Sequence, residues 1–521
     1  MSGEIRDIFI IGGGVNGCGI ARDAAGRGLS VTLVEQNDLA SGTSSASTKL
    51  FHGGLRYLEY FEFRLVREAL KEREVLLGMM PHISWPMRFV LPLNKEMRFD
   101  AETPASRLLA RFMPWMKGRR PDWMIRLGLF LYDHMGGRNA LPATKALSLV
   151  GRPEGAALEA GFERAFEYSD VWVDDARLVC LNARDAAERG ARILTRTTFV
   201  AAERVDGLWR VTVAQDGVQS HHLARALVNA AGPWVAQALG HVSTAMRGQI
   251  RLVRGSHIVV PKLYDHDKCY FLQGADGRIC FLIPYEDDFT LIGTTDAEHG
   301  AADETPEASE AEQSYLIAFV NGYLRKNITV SDVVWSYSGV RPLQDDGQTS
   351  ASAATRDYEL RFEAQEAALL TVFGGKITTY RKLAEAAVDR LAPESRPWTK
   401  GAALAGGGFE FGVKPELEAR VAATYPFLEA RTVARLVRSY GLDVFDMFGK
   451  CQALDELGAG LSTVEVDWLV AHEFAQSAED ILWRRSKLGL HMSAEGVAGL
   501  EAYLARSGPV EGAEYELYFG D

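Results

Sequence analysis

Gly12, Gly14 and Gly17, spaced G-x-G-x-x-G in GGGVNG, stand between a short apolar run, DIFII, and a small-residue segment, CGIARDAAGRG. This spacing suits a diphosphate. Gly12 permits a tight turn, Gly14 lets the backbone approach a pyrophosphate, and Gly17 brings a helix close to a strand, with the helix's positive end toward the anion. The next apolar run, VTLVEQ, ends in Glu35, placed to accept hydrogen bonds from a ribose hydroxyl. Strand, glycine turn, helix, strand and acid predict a dinucleotide-binding unit.

The glycine pattern alone serves NAD and FAD equally. Residues 38–60, DLASGTSSASTKLFHGGLRYLEY, form a long polar, small-residue segment where a nicotinamide enzyme would place its next regular element. Such a segment can line an extended cofactor, which favours FAD. Ser44, Ser45, Lys49, His52, Gly53 and Gly54 are its candidate contacts to phosphate, ribityl and ring edges. The run RALVNAAGPW reads as a strand tip under the adenosine half, with Gly232 as its contact, and the Phe199 backbone is a further adenine contact.

A second glycine junction occurs in VFGGKITTY, residues 372–380. It is not a nucleoside-triphosphate loop, because that motif needs Gly where Leu370 stands and Ser or Thr where Ile377 stands. In a flavin fold, a late strand, glycine pair and helix bring N–H groups and a positive helix end to the ring edge that gains negative charge on reduction. Gly374 and Gly375 allow the close approach, Lys376 adds a charge, and Thr378 adds a hydrogen bond.

The remaining composition is that of an ordinary globular protein. The chain has 521 residues, 47% of them hydrophobic, enough for two or three domains. A net charge of −12 argues against a nucleic-acid partner. Five scattered cysteines without C-x-x-C suggest neither a disulfide framework nor a metal site. No secretory signal is read at the N-terminus, and no apolar run reaches the roughly 18 to 20 residues that span a bilayer. A soluble or peripherally attached protein in a reducing compartment is expected.

GGGVNGCGIARDAAGRG, TSSASTKLFHGGLRYLE, EYSDVWVDDARLV, GSHIVVP, IGTTD, YSGVRPL and FGGKITTYRKLAE closely resemble segments of the FAD-dependent sn-glycerol-3-phosphate dehydrogenases of aerobic glycerol metabolism. The resemblance runs from the N-terminus to the C-terminal helical region, although residues 94–120 are longer than the corresponding family segment. It implies oxidation of sn-glycerol 3-phosphate to dihydroxyacetone phosphate, with electrons passed to membrane ubiquinone. It also implies a peripheral location on the cytoplasmic face of the inner membrane, as a homodimer. Use of oxygen as acceptor, or a non-catalytic or tRNA-modifying flavoprotein, are the competing readings.

Alcohol oxidation by a flavin needs a hydride path, a proton acceptor and a clamp for the phosphate. A dianion calls for arginine, whose planar fork donates paired hydrogen bonds. By resemblance Arg341 and Arg356 fall to the phosphate and Arg56 to the site beside the flavin. His257, heading the β-branched run HIVV, is the candidate base, because histidine titrates near neutral pH. His52 competes for that role, and Tyr57 can add a hydroxyl. IGTTD, residues 292–296, is placed near the pocket.

These residues require an α/β architecture of the glutathione-reductase and D-amino-acid-oxidase kind. A discontinuous FAD domain over 1–80, 150–245 and 340–395 would carry an inserted, sheet-containing substrate domain over 81–149 and 246–339. GAALAGGG, residues 401–408, reads as a flexible linker to a helical C-terminal domain, 401–521, in which the Arg and Lys of LWRRSKLGL either face the site or solvate a helix, the latter being favoured. Between Arg107 and Arg138, basic residues interleave with Leu, Phe, Met and Trp, as in helices that lie in a bilayer interface or pack on a partner.

Overall fold

The computed structural model describes residues 4–93, 97, 103–113, 115, 120–137, 140–248, 250–274, 277–344, 357–364 and 367–507. Its first sheet is mostly parallel. Strand Ile5–Ile11 lies between Val218–Asn229 and Val31–Val34; Ala368–Phe373 and Arg192–Leu194 extend the two sides, and Glu359–Glu363 closes one edge antiparallel. Thr198–Val205 and Leu208–Gln215 form an antiparallel extension on Val218–Asn229. A parallel strand covered on both faces should be apolar along its length, and Ile8, Phe9 and Ile10 are all buried. Helices Val15–Gly26, Asp175–Glu188 and Tyr380–Leu391 supply one covering layer. The second layer centres on Trp209, Val211 and Leu239.

Gly17 explains why the first helix sits so tightly on its strand. A Cβ there would lie 1.9 Å from the Gly12 carbonyl oxygen. The parallel strands all end on one edge, so the glycine turn, Glu35, Gly232 and Gly374 emerge together there.

The second sheet runs from Ala297–Glu298 through Ile250–Pro261, Phe289–Gly293, Ile279–Tyr285, Cys269–Gln273, Ser84–Pro92 and Arg164–Val173 to Leu50–Phe51. Trp335–Gln344 pairs with Ile250–Pro261, and Lys145–Ser148 with Arg164–Val173. Three pieces therefore depart from the boundaries read from the sequence: 50–51, 164–173 and 340–344 all pair in this sheet, although their segments were assigned to the cofactor domain. An apolar run reveals that it is a strand; its hydrogen-bonding partner decides the sheet it joins.

Helices Lys414–Thr424, Ala430–Tyr440, Thr463–Glu473 and Ala494–Ser507 build a C-terminal helical domain around Val421, Leu436, Leu469 and Ile481. The segment before it is no loose tether. Leu404 is buried and donates its N–H to the Met79 carbonyl at 2.9 Å, and a Cβ on Gly406 would lie 2.0 Å from the Tyr440 carbonyl oxygen. Its glycines permit close packing. The expectation for LWRRSKLGL is likewise overturned: Arg485 and Lys487 are buried, and Arg484 is nearly so.

Candidate active site

A cavity of about 720 Å3 follows the edge where the parallel strands end, which is the size of a cofactor cleft. Gly12, Gly14 and Asn16 line it at the first turn, and Glu35 lines it beyond the second strand. Glu35 accepts the Gly13 N–H at 2.7 Å and the Asn37 N–H at 2.9 Å, which ties the first glycine turn to the end of the second strand. Partial burial pushes its carboxyl up, and those two N–H donors oppose the shift. Ser44 accepts the Val15 N–H at 3.0 Å, so the 38–60 segment folds back over the helix N-terminus. Phe199 and Gly232 also line this side.

On the other side, the loop after Ala368–Phe373 brings Gly374, Gly375, Lys376 and Thr378 to the wall. Lys376 Nζ sits 3.9 Å from the centre of the Tyr57 ring, and His52, Gly54 and Arg56 line the adjoining surface. The Arg341 guanidinium donates to Thr294 Oγ1 at 3.1 Å and pairs with Asp296. Thr294 and Asp296, from IGTTD, are themselves lining residues. The cavity thus joins residues from both sheets, and Arg56, Arg278, Arg341 and Lys376 are the lysine and arginine residues among its described lining. Arg356 lies outside the described residues.

Five residues expected to touch ligand stand behind this wall. Gly17 serves the helix–strand packing described above. Lys49 is buried, ion-paired to Asp175 at 2.6 Å and bonded to the Ser45 carbonyl at 3.0 Å, so it shapes the loop from inside. Ser45 contributes that carbonyl and does not line the cavity. Gly53 donates its N–H to Tyr132 Oη at 2.6 Å, and a Cβ there would lie 2.4 Å from Leu70. His257 is 1% exposed, its ring stacked on Tyr337 with centroids 4.8 Å apart. Burial, followed by the charges of Arg341 and Lys49, holds the imidazole well below its ordinary pKa, hence neutral. Its Nε2 lies 3.0 Å from Thr48 Oγ1, and Thr48 lines the cavity. The histidine therefore meets the cavity through a threonine hydroxyl.

Two contributors escaped the sequence reading. Thr48 is one. Asn16 is the other: its Nδ2 donates to the Gly374 carbonyl at 3.2 Å, while its Oδ1 is buried without a hydrogen-bond partner among the described residues. A polar residue at a variable position within the glycine motif was the available signal.

Residues 7–381 match the family model for FAD-dependent oxidoreductases. The chain belongs to that family. Residues 397–506 match a model described as the C-terminal domain of alpha-glycerophosphate oxidase. The chain is 48% identical over 518 residues to a glycerol-3-phosphate dehydrogenase of Pseudomonas aeruginosa, covering 97% of this chain and 96% of that one. It is also 48% identical over 512 residues to the D-erythritol 1-phosphate dehydrogenase of Brucella abortus, covering 96% and 97%. Among solved structures, the glycerol-3-phosphate dehydrogenase of Bacillus halodurans complexed with FAD superposes with a TM-score of 0.71 at 26% identity, covering 97% and 91%.

FAD is thus the cofactor, and the wall fits it. A Cβ at Gly12 would lie 2.6 Å from the Ala230 carbonyl oxygen, so only glycine fits where this cavity-lining turn meets the end of the neighbouring strand. The orphaned Asn16 Oδ1 offers an acceptor beside that turn. The donor set runs from a ribose acid through two glycine turns to a lysine, matching a dinucleotide with an anionic centre and a ring that gains charge on reduction.

Proposed function

We propose that this enzyme oxidises sn-glycerol 3-phosphate to dihydroxyacetone phosphate and passes the electrons to a membrane quinone such as ubiquinone. The supporting observation is that Arg56, Arg341 and Lys376, from three separate segments, all line the cavity that carries both glycine turns. FAD, when bound, supplies the acceptor for the hydride leaving the substrate's secondary carbon. Arg341, preset by Thr294 and Asp296, and Arg56 hold the phosphate dianion by charge-assisted hydrogen bonds. Lys376 places positive charge beside Tyr57. Thr48 meets the substrate hydroxyl, and His257 Nε2 behind it lies within hydrogen-bond distance to continue the proton's path.

The acceptor side is read from a smaller cavity of about 160 Å3. It shares Leu55, Arg56, Phe271 and Ile279 with the large one and reaches Met124 and Leu127 on helix Asp122–Met135. That helix and Pro104–Phe112 expose Phe112 and Trp123 among cationic Arg107, Arg111 and Arg126, a composition suited to the surface of an anionic bilayer. Among the described residues no helix is long and apolar enough to cross a membrane.

Anaerobic addition of sn-glycerol 3-phosphate should bleach the bound flavin, and a soluble quinone should restore it. No bleaching by this compound would overturn the substrate, and restoration by oxygen but not quinone would overturn the acceptor. The equal identity to the Brucella relative favours a second reading, oxidation of D-erythritol 1-phosphate. Faster bleaching by that phosphate than by glycerol 3-phosphate would establish it.

A further inference from the structure

The buried arginines of the C-terminal domain converge on the turn that follows Glu35. Arg485 donates a fork to Asp38, Nη1 to Oδ2 at 2.6 Å and Nη2 to Oδ1 at 2.7 Å, and both side chains are essentially inaccessible. Arg484 Nε donates to the same carboxylate, and its Nη2 donates to Asp480 at 2.6 Å. Asp480 also accepts from Arg196 at 2.8 Å and from the N–H groups of Gln476 and Ser477 at 2.9 and 3.0 Å. Arg196 in turn donates its backbone N–H to the Asn37 carbonyl at 3.0 Å, and Thr197 donates its own to the Glu35 carbonyl at 2.8 Å. Gln476 Nε2 reaches Thr195 Oγ1 at 3.0 Å.

Two loops are gripped here by one segment, and both border the ribose and adenine side of the cavity: Glu35 and Asn37 line it from one, Thr197 and Phe199 from the other. The gripping segment, Asp480–Arg485, is π-helical, with Ser486 N–H bonded to the Ile481 carbonyl five residues back. Single π turns of this kind occur often at functional sites. Burying the Arg485 guanidinium and the Asp38 and Asp480 carboxylates, with Arg484 mostly covered and Arg196 partly exposed, is a poor way to add stability, because desolvation offsets most of the attraction; what it fixes is geometry.

We propose that Asp38, Arg196, Asp480, Arg484 and Arg485 make the C-terminal domain part of the FAD site, holding the Glu35 turn and the Thr197–Phe199 strand where they bind the adenosine end. They are positioning residues, and none of them lines the cavity. Domain docking and cofactor affinity are then linked, each strengthening the other.

The test compares FAD, ADP and riboflavin binding to apoprotein prepared from the wild type, Arg485→Gln, Arg485→Lys and Gln476→Ala. Arg485→Gln should raise the Kd for FAD and for ADP about tenfold or more, while riboflavin binding is unchanged. The absorption spectrum and substrate KM of the FAD-saturated variant should match the wild type. Arg485→Lys, which keeps the charge without the fork, should fall between. A Kd for FAD within about twofold of the wild type overturns the proposal. So does an equal loss of riboflavin binding, which would mean general loosening. Should Arg485→Gln fail to fold, exposed Gln476→Ala decides: weaker ADP binding supports the clamp, and unchanged ADP binding overturns it.

Discussion

Asn16, in the opening turn of the first helix, donates its side-chain amide to the carbonyl of Gly374, 358 residues later, at 3.2 Å. This bond ties the glycine turn after the first strand to the glycine turn after Ala368–Phe373, both of which line the cavity. The sheet spaces the two strands through Val218–Asn229 between them, and the side-chain hydrogen bond extends that order to the turns beyond the strand ends.

Replacing Asn16 by alanine should therefore weaken cofactor binding. A net hydrogen bond of about 1 kcal/mol corresponds to about a fivefold rise in the Kd for FAD. Fluorescence titration of the apoprotein measures this. An unchanged Kd together with an unchanged flavin spectrum would show the bridge to be incidental.

Arg341 carries the strongest prediction about substrate. Loss of a charge-assisted donor costs about 1.5–3 kcal/mol, so Arg341→Ala should lower kcat/KM by roughly ten- to a hundredfold, mostly through KM, with FAD retained. Asp296→Asn, which removes the acidic partner that aims the guanidinium, should act in the same direction by less. Steady-state kinetics with a quinone acceptor reads both. Loss of FAD from the Arg341 variant would move this residue from the substrate to the cofactor.

The glycine turns and Glu35 were legible because their constraints are local: a positive φ at Gly12 and the sub-contact approach of Gly17 to Gly12 leave marks within a few residues. Lys49 and Gly53 were not. Their segment is uniformly small and polar, and what turned them from the cavity is tertiary: Asp175, 126 positions away from Lys49, and Tyr132, 79 away from Gly53. His257 shows the same blindness on a strand, where the pattern marks alternate faces without saying which holds Thr48. Arg484 and Arg485 read as a solvated face because their counter-charge, Asp38, lies 446 and 447 positions earlier. Local geometry writes itself into sequence, and long-range charge pairing does not.

His82 sets a pH dependence. Burial, then the charges of Arg177, Lys414 and Arg184, push its imidazole down to about 3. It is neutral in the folded protein, whereas the unfolded chain takes up a proton below about 6.5. Stability contributed by this group is therefore complete above pH 6.5 and is lost progressively as pH falls toward 3, by several kcal/mol at most (roughly 1.4 kcal/mol per unit). Denaturant titrations between pH 7 and about 4.5 should show a slope that His82→Leu reduces. Identical slopes for the two proteins would assign the acid sensitivity to other groups.

The outer face of Pro104–Phe112 and Asp122–Met135 gives the last prediction. Phe112 is 69% exposed and Trp115, which follows the first of these helices, 76%, while the parts of the helices that face inward, Leu109, Ile125 and Leu129, are buried. Water is a poor solvent for so much aromatic surface in one place, and the nearby arginines favour an anionic interface over a neutral one. Burying one such ring in an interface is worth about 1.5–3 kcal/mol. The double substitution Phe112→Ser and Trp115→Ser should thus lower partitioning onto phosphatidylglycerol-containing vesicles by well over about tenfold. Because neither residue lines the catalytic cavity, bleaching of the flavin by substrate should be unchanged. Reduction of a soluble quinone should also persist, whereas turnover with quinone embedded in the vesicles should fall in step with binding. Vesicle co-sedimentation that is equal for variant and wild type would refute the membrane reading and return this face to contact with another protein chain.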